Sequence, residues 1–73
     1  MVNISENLTL KACRMVARIR AAELAKSVGV SPSTLYRWEK GESHPTGDQM
    51  AGIVHCFAEH GYQVDIDDIN FFA

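Results

Sequence analysis

Three features of this 73-residue chain predict an all-α fold of four to five short helices. Apolar residues recur at helical spacing in several windows, residues suited to helix caps and stops separate those windows, and strand-like alternation is confined to Tyr62, Val64 and Ile66. Hydrophobic residues make up 47% of the sequence and no polar low-complexity tract interrupts it, so a folded domain is expected rather than a disordered segment. A chain this short buries only about 60% of its unfolded surface, which limits it to a single domain without a deep catalytic cleft.

The elements follow in order. Ser5 is a suitable N-cap, and Leu8, Ala12, Met15, Val16 and Ile19 then fall on one helical face, predicting a first helix from Glu6 to Ala17. No Gly or Pro separates it from the next helical stretch, Ala21 to Val28, so local signals leave open one continuous helix. The following boundary is sharper. Gly29 suits a left-handed C-terminal residue, Ser31 an N-cap and Pro32 the first helical position. A helix from Pro32 to Lys40 follows, with Leu35 and Trp38 on its inner face, and it stops at Gly41 before a loop that ends at Pro45. Thr46 and Gln49 have capping-box spacing, and Met50, Ile53, Val54 and Phe57 form the apolar stripe of a fourth helix closed by Gly61.

Beyond Gly61, Asp65 or Asp67 is placed to cap a last helical turn carrying Ile69, Phe71 and Phe72. Two adjacent aromatics cannot both face inward on one helical turn. Either closure of the monomer core or a subunit contact accommodates them, and the expectation for residues 62–73 is a dimerisation tail, with Ile69, Phe71 and Phe72 as the candidate contact and at least one of the two aromatics turned to a second copy.

The formal net charge of −2 and a pI near 5.8 argue, taken alone, against a nucleic-acid partner. The distribution argues the other way. All seven basic residues (Lys11, Arg14, Arg18, Arg20, Lys26, Arg37 and Lys40) lie between positions 11 and 40, opposed there only by Glu23 and Glu39, a net +5. The rest of the chain carries −7. A basic half and an acidic half imply one face that meets phosphate and one that avoids it.

Several chemistries are not supported. The apolar runs are too short to cross a bilayer and the first ten residues lack the order of a secretory signal, so a cytoplasmic protein without a membrane partner is expected. Cys13 and Cys56 read as reduced core thiols. Cys56 and His60 share a helix face, but with His55 off to the side only two ligands converge, too few for a zinc site. No acid pair, nucleophile elbow or Gly-rich phosphate loop is present, so neither an enzyme nor a cofactor is implied.

What remains is a helix-turn-helix between Ala21 and Glu39. Ala25 is small enough for close helix approach, Gly29 makes the turn, and Leu24, Val30, Leu35 and Trp38 bury the inner faces. Ser33, Tyr36, Arg37 and Lys40 are left on the outer face of the second helix, where the N-terminal side chains of such a helix reach base edges in a major groove.

The stretch from Arg14 to Pro45, with ELA at 23–25, VGVS at 28–31 and RWEKG at 37–41, resembles the Cro/C1-type (XRE) helix-turn-helix family of phage and bacterial repressors. The resemblance implies a compact lambda-repressor-like domain that binds double-stranded DNA as a homodimer and regulates transcription, as a repressor on a palindromic operator. It places base reading on Pro32, Ser33, Tyr36 and Arg37, phosphate contacts on Arg20, Lys40, Ser43 and His44, and a structural ion pair between Arg14 and Glu39. Two departures stand out. The family usually has Gly in its first turn, where this chain has Arg18, and a Ser-Gln or Asn-Gln pair at the start of its second helix, where Arg20-Ala21 stands here. Pro32 also offers no side-chain donor, so base reading is expected to lean on Arg37, whose guanidinium can grip guanine O6 and N7 together. The rival is an antitoxin-like or adaptor module whose acidic C-terminal half docks a protein partner. A third reading is the DNA-binding piece of a recombinase that recruits its catalyst separately.

Overall fold

The computed structural model describes the backbone of residues 2–3 and 8–71 and the side chains of residues 8–71. Among the described residues, four helices form in the order α1 (Leu10–Val16), α2 (Ala21–Val28), α3 (Pro32–Lys40) and α4 (Gly47–Glu59). The chain ends add four two-residue strands, β1 (Val2–Asn3), β2 (Leu8–Thr9), β3 (Tyr62–Gln63) and β4 (Ile69–Asn70), with a 3₁₀ turn at Ile66–Asp68. β1 pairs in parallel with β3, and β2 with β4, in the registers Val2 to Tyr62 and Leu8 to Ile69.

The first helix differs from its sequence expectation at both ends. It begins at Leu10, because Leu8 and Thr9 are held extended by pairing with β4, and Thr9 Oγ1 accepts a hydrogen bond from the Ala12 amide at 3.2 Å. Ser5, the expected cap, lies outside the described residues. With that start, Leu10, Cys13 and Ala17 face the core, while Met15 and Val16 are 62% and 49% exposed rather than part of the buried stripe.

The continuous-helix alternative is excluded at Arg18, which takes φ 58°. The Arg18 amide donates to Met15 O at 3.1 Å and the Ile19 amide to Arg14 O at 3.1 Å, the paired bonds of a Schellman C-terminus. The same two bonds close α2 around Gly29 and α3 around Gly41, at φ 84° and 78°. Arg18 therefore does what glycine does at the other two helix ends, in a region that L-residues occupy at a cost of roughly 1–2 kcal/mol.

The remaining caps are those the sequence predicts. Ser31 Oγ accepts from the Thr34 amide, Pro32 opens α3, and the box of Thr46 and Gln49 is closed in both directions at 2.8 and 3.2 Å. At the 3₁₀ turn the Asp65 amide donates to Asp68 Oδ2 at 3.1 Å and the Asp68 amide to the Asp65 carbonyl at 2.9 Å.

The core is one cluster. Leu24, Ala25, Leu35, Ile53 and Phe57 are wholly buried at the meeting of α2, α3 and α4, and Trp38 lies beside them. Val64, Ile69 and Phe71 from the C-terminal segment join it at 2%, 4% and 3% exposure. The expectation that Ile69 and Phe71 face a second copy is thus corrected: the segment is a strand and a turn rather than a helix, so it turns both side chains inward, and Phe72 lies outside the described residues. Cys13 and Cys56 are buried and free. Burial, reinforced by the Asp68 carboxylate, pushes the Cys13 thiol above its ordinary pKa, so it stays protonated. Among the described residues no helix is long and apolar enough to cross a membrane.

Candidate nucleic-acid interface

The helix-turn-helix is α2, the turn at Gly29 to Ser31, and α3. Its inner side is fixed by Leu24, Ala25, Leu35 and Trp38, all buried. At about 100° per residue, burying Leu35 and Trp38 turns positions 33, 36, 37 and 40 outward. Pro32, Ser33, Tyr36, Arg37 and Lys40 are all exposed, Tyr36 at 48% despite its apolar ring. Of the further expected contacts, Arg20 is exposed at the start of α2, His44 is exposed in the loop after α3, and Ser43 is half-buried there. The cap position of α2 is occupied by Arg20, whose side chain makes no capping bond.

Behind this surface, Arg14 of α1 joins three elements. Its Nε donates to Glu39 Oε2 at 2.7 Å, its second terminal nitrogen reaches Glu39 Oε1 at 3.3 Å, and the remaining one donates to Ile19 O at 3.0 Å. The two side chains are 13% and 4% exposed. One guanidinium therefore holds α1, the first turn and the C-terminal end of α3 in fixed relation. It also satisfies Glu39, so the only carboxylate within α3 is neutralised behind the exposed face.

Sequence reasoning missed Lys11. It stands with Arg14, Tyr36, Glu39 and Lys40 around a cleft of about 240 Å³ between α1 and α3. Its spacing of three from Arg14 was the available signal, since both then lie on the α1 face turned to α3.

On the far side, His60 ties the C-terminal end of α4 to α2. Its Nδ1 lies 2.9 Å from Cys56 O and its Nε2 lies 3.2 Å from Glu23 Oε2. Both ring nitrogens face oxygen acceptors, so the imidazolium satisfies both where a neutral ring satisfies one. The Cys56 carbonyl first, then Glu23, raise the His60 pKa above 6.5. Cys56 Sγ and His60 Nδ1 are 4.0 Å apart, and among the described residues no three His, Cys, Asp or Glu side chains gather where a metal could be held.

The comparisons agree with this geometry. A helix-turn-helix family model matches residues 10–58, which include all four helices up to the last turn of α4. Repressor protein C2 of Salmonella phage P22 is 30% identical over 64 residues, covering 84% of this chain. The chain spans 30% of the length of that relative. Arg18 in the glycine position and the unassisted Arg20 cap are local departures within a match that extends across the whole motif, and the chain belongs to the Cro/C1-type helix-turn-helix family.

Proposed function

We propose that this chain binds duplex DNA by laying α3 in the major groove and regulates transcription there, as a repressor that acts as a dimer on a palindromic operator. The exposed face of α3 carries the reading: a Ser, a Tyr, an Arg and a Lys are turned out by a buried Leu and Trp, and Arg37 and Lys40 make no ion pair among the described residues. Family membership supports DNA as the partner, and the phage relative's name supports repression. Arg37 reads guanine, Pro32 and Ser33 approach the bases at the helix start, and Arg20, Lys40, Ser43 and His44 meet phosphates. Such regulators work in the cytoplasm of a bacterial or phage-infected cell, at the nucleoid, and the reading needs no enzymatic step.

Dimerisation is argued from need. One recognition helix makes too few base contacts to discriminate against competing genomic DNA, and a twofold pair doubles them. Half-site centres then lie about 34 Å apart. Ile69 and Phe71, buried in the monomer, are not the surface on which two copies meet.

A mobility-shift series over increasing salt tests the reading. With about four to six phosphate contacts, the log-log slope of affinity against salt is near −4 to −5. A flat dependence refutes DNA binding and favours the protein-docking alternative, in which the exposed Asp65 and Asp67 of the C-terminal segment contact a partner.

A further inference from the structure

We infer that Tyr36, assigned above to base reading by its family position, instead forms a site for one DNA backbone phosphate together with Lys11 and Lys40. The inference rests on the DNA reading and specifies its contacts.

Around α3, at about 100° per residue, Tyr36 and Arg37 lie at opposite edges of the exposed face, with Lys40 and Ser33 between them. The α1 edge is the Tyr36 edge, because Tyr36 and Lys40 share a cleft with Lys11 and Arg14. Arg37 lies on the edge away from α1 and takes no part in that cleft. A helix centred in the major groove has its middle over the base edges and its flanks toward the two sugar-phosphate walls. Measured from Ser33, Arg37 is turned by about 40° and stays over the bases, whereas Tyr36 is turned by about 60° the other way, onto the flank that Lys11 of α1 continues, and that flank faces a wall.

The chemistry of the cleft fits that position. Arg14 and Glu39 neutralise one another, and the Glu39 side chain is only 4% exposed, so its carboxylate presents no competing charge. The accessible groups are the two exposed ammonium groups of Lys11 and Lys40 and the phenol of Tyr36. Lys11 and Lys40 belong to different helices, held in register by the Arg14 bonds to Glu39 and Ile19. Two cations and one neutral donor around a small cleft suit a phosphodiester oxygen pair. They offer nothing that distinguishes one base from another.

The test uses two duplexes, one of random sequence and one selected from a random pool as the tightest binder, with affinity measured over a salt series. Lys11→Gln keeps helix propensity and removes the charge, and it reduces the magnitude of the salt slope by about 0.9 on both duplexes. Tyr36→Phe removes only the hydroxyl and weakens binding about tenfold, equally on both, without changing the slope. Thermal melts of both variants match the unsubstituted protein, since the replaced groups are exposed. The phosphate site is overturned if Tyr36→Phe changes the preference between the duplexes, which makes Tyr36 a base reader. It is equally overturned if Lys11→Gln leaves the slope unaltered. Failure of the unsubstituted protein to bind either duplex refutes the DNA reading itself.

Discussion

Glu39→Ala is the most informative single perturbation, because Glu39 meets Arg14 where three elements converge. The substitution removes the bonds at 2.7 and 3.3 Å and leaves the Arg14 guanidinium with only Ile19 O at 3.0 Å. Stranding one member of a buried ion pair costs about 3–5 kcal/mol. Arg14 is 13% exposed and borders the cleft with Lys11, so water partly replaces its lost partner and the lower end, about 3 kcal/mol, applies. A domain of this size has a total stability of about 4–11 kcal/mol at the usual density per residue. The loss is therefore a large fraction of it, and the melting temperature falls by about 12–24 °C.

Circular dichroism melts measure this directly, and a charge-free double variant identifies its cause. Arg14→Met with Glu39→Leu replaces both charges by hydrocarbon of similar reach and recovers most of the loss, because the cost lies in the unpaired charge rather than in the missing contact. A Glu39→Ala melt within about 2 °C of the unsubstituted protein refutes the reasoning. So does a double variant as unstable as the single one, which assigns the loss to packing.

Three other outcomes follow from particular positions. Arg18→Gly relieves the φ of 58° and raises stability by up to about 1 kcal/mol after the greater unfolded-state freedom of glycine is subtracted, read as a higher melting temperature. Phe71→Ala, at a site 3% exposed, lowers stability by about 3–5 kcal/mol, a loss that is the same at every protein concentration, whereas the loss of a dimer contact shrinks on dilution. His60 has a folded-state pKa raised above 6.5, so its stabilisation is complete below 6.5 and is lost as pH rises through the folded-state value; that dependence disappears in a His60→Gln melt and is reduced but not abolished in Glu23→Gln, because the Cys56 carbonyl, the larger cause, remains.

The sequence revealed those boundaries that depend on local chemistry. Gly29, Ser31, Pro32, Gly41, Thr46 and Gln49 each satisfy a specific backbone need at a helix end, and the end of α2, both ends of α3 and the start of α4 fall where those residues place them. The first helix was misjudged because its limits are set from elsewhere. Ser5 and Thr9 are equally good caps by composition, and pairing of Leu8–Thr9 with Ile69–Asn70 at the other end of the chain selects Thr9. Arg18 carries no local mark of a left-handed residue, so only the resemblance, whose first-turn glycine falls at position 18, separated α1 from α2. The tail failed for the same kind of reason. Two-residue strands have no periodicity of their own, and Ile69 and Phe71, two apart, point the same way in an extended chain but not in a helix. At the site, the outward set on α3 was legible from Leu35 and Trp38 alone. The place of Lys11 was legible only in part: its spacing from Arg14 puts both on one face of α1, but that this face borders Tyr36 and Lys40 depends on how α1 packs against α3.

That dependence connects the chain ends to the proposed interface. α1 is a helix of only seven residues, too short to hold itself by local bonding, and its orientation comes from what packs on it. Leu10 and Cys13 are buried in the same cluster as Ile69 and Phe71, and β2 leads directly into α1 while paired with β4. The C-terminal segment thus grips α1 from behind while Arg14 holds it to α3 in front. Lys11 and Arg14 are placed beside the recognition helix by both constraints together. The acidic Asp65, Asp67 and Asp68 lie in the same C-terminal segment, outside the helix-turn-helix, and the basic residues lie between positions 11 and 40. Residues 62–71, within the tail expected to join two copies, are part of what gives one copy its α1–α3 surface. Any effect of tail mutations on DNA binding must therefore be separated from α1 displacement before it is attributed to dimerisation.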